Sequence, residues 1–259
     1  MIRILGILNL TPDSFFPGSR LGGDNALSRI SKLFEEGADV VDLGACSTRP
    51  GADIPSLETE WSRLEPVLRD IADDTADAGH KLCPAPADPT FSIDTFRSEI
   101  VRRAYDIIGK FIVNDVSGGS KEMLETVRKL GLPYMATHNR PFEGDIVEDV
   151  KDYFREMEDA GIADLILDPG FGFGKTVDQN LELLRRLDEI TSATKLPVLV
   201  GISRKSMIYK TLGITPEEAL PATQALHFSA LERGAKWLRV HDVTEAAQTV
   251  KLFERFWNE

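Results

Sequence analysis

The sequence predicts an α/β protein folded as a single (β/α)8 TIM barrel, and three observations carry that expectation. Short β-branched or leucine-rich runs alternate with amphipathic stretches eight times along the chain, the pattern of a parallel sheet with helical crossovers. The length of 259 residues suits one such barrel, which commonly needs about 250. Composition does not change between the halves, so residues 1–259 read as one domain. An open doubly wound sheet is the competing arrangement; eight uninterrupted units favour the closed one.

The units follow in order. RILGILN (3–9) is an apolar strand, and Ala26, Ile30, Leu33 and Phe34 share a face of a helix near 25–36. DVVDLG (39–44) precedes a helix near 58–73 with Trp61, Leu64, Leu68 and Ile71 on one side and Pro66 as an expected kink. FSID (91–94), FIVND (111–115), LPYMAT (132–137) and DLILD (164–168) are strands, followed by helices near 98–106, 121–130, 146–160 and 178–190. VLVGIS (198–203) precedes a helix near 216–233. WLRV (237–240) precedes one near 243–257 that turns Val243, Ala247, Val250 and Phe253 inward. Residues 73–90, rich in Asp, Ala and Pro, read as an irregular surface connection.

Composition bounds the chemistry. Forty-two acids against 30 Lys+Arg give a net charge of −12, which argues against nucleic acid as a partner. Cys46 and Cys83 form no metal spacing and no disulfide framework. With no signal-peptide pattern and no apolar run near 18 residues, the expectation is a cytoplasmic protein. DPGFGFGKT (168–176) ends like a phosphate-binding P-loop, but the glycine that motif requires is Pro169, which has no N–H to offer.

In a barrel, chemistry sits at the carboxyl ends of the strands. Those ends carry Asn9, Asp42, Asp94, Asn114, His138, Asp168, Ser203 to Lys205, Arg239 and His241. Singly, each has an ordinary alternative: a helix cap for Asp42 or Asp94, a turn for Asn114, a solvated charge for Lys205 or Arg239, a satisfied loop residue for His138. Together they point to a site. Acids beside an Asn suit a flat heterocycle with several N–H donors. Lys205, Arg239 and His241, on the last two strands, suit an anion. The glycines after Asp168 then let the backbone turn tightly and approach a ligand.

GILNLTPDSF (6–15), DLGACSTRPGA (42–52), SIDT (92–95), VNDVSGG (113–119), DPGFGFGKT (168–176), GISRKS (201–206) and RVHDV (239–243) occur in that order. By these motifs the chain resembles the dihydropteroate synthase family from its first strand to its last helix. The resemblance implies a (β/α)8 barrel, usually a homodimer, that joins para-aminobenzoate to 6-hydroxymethyl-dihydropterin pyrophosphate with Mg²⁺. It also implies roles for individual residues. Asp94, Asn114, Asp168, Lys205 and Arg239 correspond to the pterin pocket, and Asn9 to a Mg²⁺ ligand beside the pyrophosphate. Arg239, His241 and Arg49 correspond to anion-binding groups. Phe15, Thr48, Pro50, Phe173 and Ser206 correspond to the aminobenzoate subsite. Asp94, Lys205, Arg239, His241 and Arg49 would carry the reaction.

Two positions depart from the family's pattern. Pro17 stands where many members have an acid, and YMATHNRP (134–141) replaces the usual Met-His-Met type segment, so no role carries over to His138. STRPGA shows no extra residue after Pro50, which implies sulfonamide sensitivity. A pterin-dependent methyltransferase, or an inactive paralogue that binds pterin without turnover, would share the barrel and pocket.

Overall fold

The computed structural model describes residues 1–11, 23–46, 54–76 and 90–257; Phe15, Pro17, Thr48, Arg49, Pro50 and most of the 73–90 connection lie outside these. Eight parallel strands alternate with helices: β1 (Arg3–Asn9), α1 (Gly23–Glu35), β2 (Val40–Gly44), α2 (Leu57–Ala76), β3 (Phe91–Asp94), α3 (Ser98–Ile108), β4 (Ile112–Asp115), α4 (Lys121–Leu130), β5 (Tyr134–Thr137) and α5 (Ile146–Asp159). After these come β6 (Leu165–Asp168), α6 (Val177–Arg185), α7 (Leu187–Ala193), β7 (Leu199–Val200), α8 (Ser206–Leu212), α9 (Leu220–Glu232), β8 (Trp237–Val240) and α10 (Val243–Trp257). The strands run β6-β5-β4-β3-β2-β1-β8-β7. One parallel bridge, Leu167 to Val198, brings β7 back to β6 and closes the ring. The seam is thin because Pro197 contributes only its carbonyl, 3.0 Å from the Leu167 amide, and β7 is two residues long.

The register explains how one barrel holds both a core and a site. Side chains alternate across a strand. The inward set begins with an apolar floor of Leu5, Val40, Ile112, Met135, Ile166, Leu199 and Trp237, which form their own buried cluster. Two residues further along, the same face carries Asp42, Asn114, Thr137, Asp168 and Arg239, with Ser92 and Asp94 on β3. The outward faces pack against the helices in a larger core, with Ile30, Leu64, Leu68, Val101, Val127, Val150 and Leu183 among its members. Among the described residues, no helix is long and apolar enough to cross a membrane.

Four expectations are corrected. Residues 73–76 are the end of α2, which runs through Pro66; without Gly or Pro, Asp73 to Ala76 simply continue the helix and so do not belong to the expected connection. The stretch near 178–190 is two helices that meet at Arg186 (φ −104°, ψ 21°). Leu183, Leu184, Leu187 and Ile190 remain buried across the break, which is why their spacing read as one helix. Strand 7 is shorter than 198–203. Finally, α8 lies between strand 7 and the helix expected near 216–233, a stretch to which the sequence assigned no element; it buries Met207 and Ile208 and ends at Gly213 in the left-handed conformation (φ 66°).

The floor makes a stability prediction. Ile166→Ala leaves a cavity in a fully enclosed layer and is expected to cost about 2–5 kcal/mol, measured by urea denaturation.

Candidate active site

At the carboxyl end of the barrel, the hub is Asp42, fully buried on β2. Its Oδ1 accepts a hydrogen bond from Ser92 Oγ at 2.7 Å. Its Oδ2 accepts from Asn114 Nδ2 at 3.0 Å and from Arg239 Nε at 2.7 Å, with Arg239 Nη2 at 2.6 Å. Nη2 also donates to Asp94 Oδ2 at 2.7 Å. Burial works against the Arg239 charge, but Asp42 and Asp94 outweigh it and hold the guanidinium protonated. Arg239 is thus the shared counter-ion of two buried acids, a role the resemblance did not assign to it.

Around this hub several acceptors face the pocket. Asp94 Oδ1 is buried and has no hydrogen-bond partner among the described residues. Burial, opposed by Arg239 and reinforced by Asp42, lifts the Asp94 carboxyl to about 7. A buried carboxylate oxygen without a donor is costly, and a ligand N–H would satisfy it. Asn114 spends its amide nitrogen on Asp42, which leaves its carbonyl as an acceptor. Asp168 accepts at Oδ1 from the Gly170 amide at 2.8 Å; burial raises its carboxyl and the nearby Lys205 opposes the rise.

Lys205 reaches over from the loop after β7, donates to the Phe171 carbonyl and stands 5.0 Å from the centroid of the Phe173 ring. Burial lowers its ammonium to about 8 against the pull of Asp168. Ser206, next in the chain, opens α8. His241, at the end of β8, has Nδ1 3.1 Å from Ser203 Oγ. Asn9 ends the inward face of β1 opposite Gly44, where an added Cβ would lie 3.3 Å from Asn9 Oδ1 and 3.8 Å from Asp94 Cβ. The glycine leaves that space open.

The structure therefore brings Asn9, Asp94, Asn114, Asp168, Phe173, Lys205, Ser206, Arg239 and His241 to one end of the barrel. His138 turns the other way. It is buried against α5, with Nε2 2.6 Å from Asp149 Oδ2 and its ring edge-on to Tyr153 at 5.4 Å. The inward residue at that level is Thr137, whose Oγ1 has no partner among the described residues. Counting by two from Met135 would have found it, and the same count from Val40 gives Asp42 a part larger than a cap.

A magnesium ion fits what the residues offer. Among the described residues no cluster of three His, Cys, Asp or Glu could hold a metal alone. Mg²⁺, however, keeps several waters and is commonly held by one or two protein oxygens plus substrate phosphates, which a single Asn9 carbonyl suits.

Lys175, which the sequence reading left without a role, explains why DPGFGFGKT ends like a P-loop. Its ammonium donates to three main-chain carbonyls, Gly170 at 2.9 Å and His138 and Phe173 at 3.2 Å. The lysine is turned inward onto its own loop, not outward to a phosphate. Gly170 (φ 72°) lies so close to β5 that an added Cβ would fall 1.9 Å from the His138 carbonyl oxygen. Thr176 then starts α6 with a capping box shared with Gln179. Lys175→Met keeps the stem and removes the donors. It is expected to lower stability by about 1.5–3 kcal/mol, measured by urea denaturation, with faster amide exchange across 170–175.

Comparison with known proteins comes to the same place. A family profile described as pterin binding enzyme matches residues 5–241. The chain is 36% identical to the dihydropteroate synthase of Clostridium beijerinckii, over 96% of this chain and 92% of that one. It superposes on a Clostridium difficile dihydropteroate synthase solved in the presence of pteroic acid with a TM-score of 0.88, at 32% identity, covering 100% of this chain and 97% of the other. A Xanthomonas albilineans dihydropteroate synthase with 4-aminobenzoic acid gives 0.87, at 34% identity, covering 100% and 94%. With these matches spanning the strands that carry the polar layer, the chain belongs to the pterin binding enzyme family, among the dihydropteroate synthases.

Proposed function

We propose that this protein joins 6-hydroxymethyl-7,8-dihydropterin pyrophosphate to para-aminobenzoate, yielding 7,8-dihydropteroate and pyrophosphate. The observation that carries the reading is the orphaned Asp94 Oδ1 beside the acceptors of Asn114 and Asp168. This acceptor-rich wall complements the N–H edge of a pterin.

In this mechanism the C–O bond between the exocyclic methylene and pyrophosphate breaks, and its electron pair leaves on oxygen. The arylamine lone pair forms the C–N bond, and the nitrogen then releases a proton. A neutral arylamine is already nucleophilic, so no strong base is required. Asp94, ionised, faces the positive charge that develops on the pterin methylene. Lys205 and His241 would face the departing anion, and the family resemblance assigns Arg49 to the same task. Asn9 is the residue that would hold Mg²⁺, which would supply positive charge for the leaving group. The Phe173 ring beside Lys205 offers a flat surface for the aminobenzoate; the family resemblance assigns Ser206, Phe15, Thr48 and Pro50 to the same subsite.

A homodimer is part of the proposal. Leu252, Phe256 and Trp257 are 62%, 67% and 57% exposed on α10, where Phe228, Phe253, Phe256 and Trp257 form a chain of ring contacts. Such an apolar face suits a second copy. So is a cytoplasmic location, which the absence of a signal-peptide pattern in the sequence supports.

The reading is tested by pyrophosphate release with Mg²⁺, with and without para-aminobenzoate. Release that requires the arylamine and is suppressed by a sulfonamide supports it; pterin binding without arylamine-dependent turnover would instead identify the methyltransferase or inactive paralogue. Arg239→Ala removes the counter-ion of two buried acids. Turnover is expected to fall at least 10²–10³-fold, and a change below about fivefold would sink its role. The pH profile has a definite sign. kcat/KM should rise as Asp94 ionises near 7 and fall as Lys205 loses its proton near 8, a bell that peaks between them.

A further inference from the structure

Among the described residues, Arg204 is the one non-glycine with positive φ, at 53°. A left-handed backbone at a residue with a long side chain is a standing cost, and it persists only where the surroundings enforce it. Here the enforcement is visible. Arg204 Nε and Nη2 each lie 2.8 Å from an oxygen of Asp242, a two-pronged ion pair. Nη1 donates to the carbonyls of Pro216 at 2.9 Å and Glu217 at 2.6 Å, and the Arg204 amide lies 3.3 Å from Thr223 Oγ1. The guanidinium is thus held by one carboxylate and two main-chain carbonyls.

Its place in the chain matters more than its bonds. Arg204 sits between Ser203, which holds His241 Nδ1, and Lys205, and Asp242 directly follows His241. One ion pair therefore ties the residue beside the site lysine to the residue beside the site histidine, across the loops that follow β7 and β8. We propose that Arg204 and Asp242 form a positioning clamp that fixes the ammonium of Lys205 and the imidazole of His241 relative to each other, and so sets the seat of the anionic leaving group. Neither clamp residue touches substrate; each acts through its neighbour. The inference rests on the functional reading above.

The test compares Arg204→Gly, Asp242→Asn and the double variant with the unaltered protein. Glycine adopts φ 53° without strain, so it separates backbone shape from the ion pair. The clamp predicts that each single variant, still folded by circular dichroism, loses at least tenfold in kcat. The double variant should be no worse than either single, because one shared interaction is lost in all three. Amide exchange at Lys205 and His241 should accelerate at least tenfold. Arg204→Gly with unaltered kcat and exchange overturns the proposal, as does a double variant whose losses multiply, or a fall in melting temperature with kcat per folded molecule unchanged. If the unaltered protein releases no pyrophosphate, the functional reading falls, and exchange at the two amides still decides the clamp.

Discussion

The meeting of Asp42, Asp94 and Arg239 is the constraint on which the rest of the barrel mouth depends. Two buried carboxylates and the part-buried guanidinium between them cannot be set there singly; each is tolerable only because the others are present. Asp42 comes from β2, Asp94 from β3 and Arg239 from β8, so the triad forms only when the ring has brought distant strands together. Asn114 and Ser92 then saturate Asp42 completely, while Asp94 is left one acceptor short of satisfaction. A fully paired network would be a structural core. The unmatched oxygen is what turns it into a binding surface.

Division of labour along each strand follows from that. The lower inward layer is apolar and closes the barrel by contact. The layer above is polar and is held by directed bonds, so the positions of its groups are fixed by partners instead of by packing. The loops extend the same logic outward. Lys175 uses its charge to bind main-chain carbonyls, Lys205 lies along the Phe173 ring, and Ser203 orients His241. The two lysines are thereby kept near Asp168, each with acceptors or a ring of its own.

How much of this was legible in the sequence depended on range. Strand and helix order is a local periodicity, and β1, β3, α4, β8 and α10 begin and end where their residues say. The break at Arg186 was not legible, because Leu183, Leu184, Leu187 and Ile190 keep helical spacing across it while the guanidinium is drawn to Asp145 on another element. The members of the site could be read from strand ends, but not their bonds. That Arg239 belongs to Asp42 and Asp94 depends on a pairing 197 residues long, and no spacing rule reports it. His138 sits on the outward parity of its strand and Thr137 on the inward one, a distinction visible only once Met135 is known to lie on the floor.

The single bridge between β6 and β7 has a consequence for the chain as a topological object. A ring of strands has no intrinsic beginning, and the termini here happen to fall between β8 and β1, which share a four-residue ladder. The bond least missed would be the one at Leu167 and Val198. Joining the two ends and reopening the chain between α7 and β7 would give a permuted protein whose first strand is β7 and whose last elements are β6 and its helices. That rearrangement gives up almost no strand pairing, yet it places Asp168 and Lys205 on opposite ends of the molecule's order. The chemistry at the mouth is thus spread over the chain in a way that is indifferent to where the chain starts.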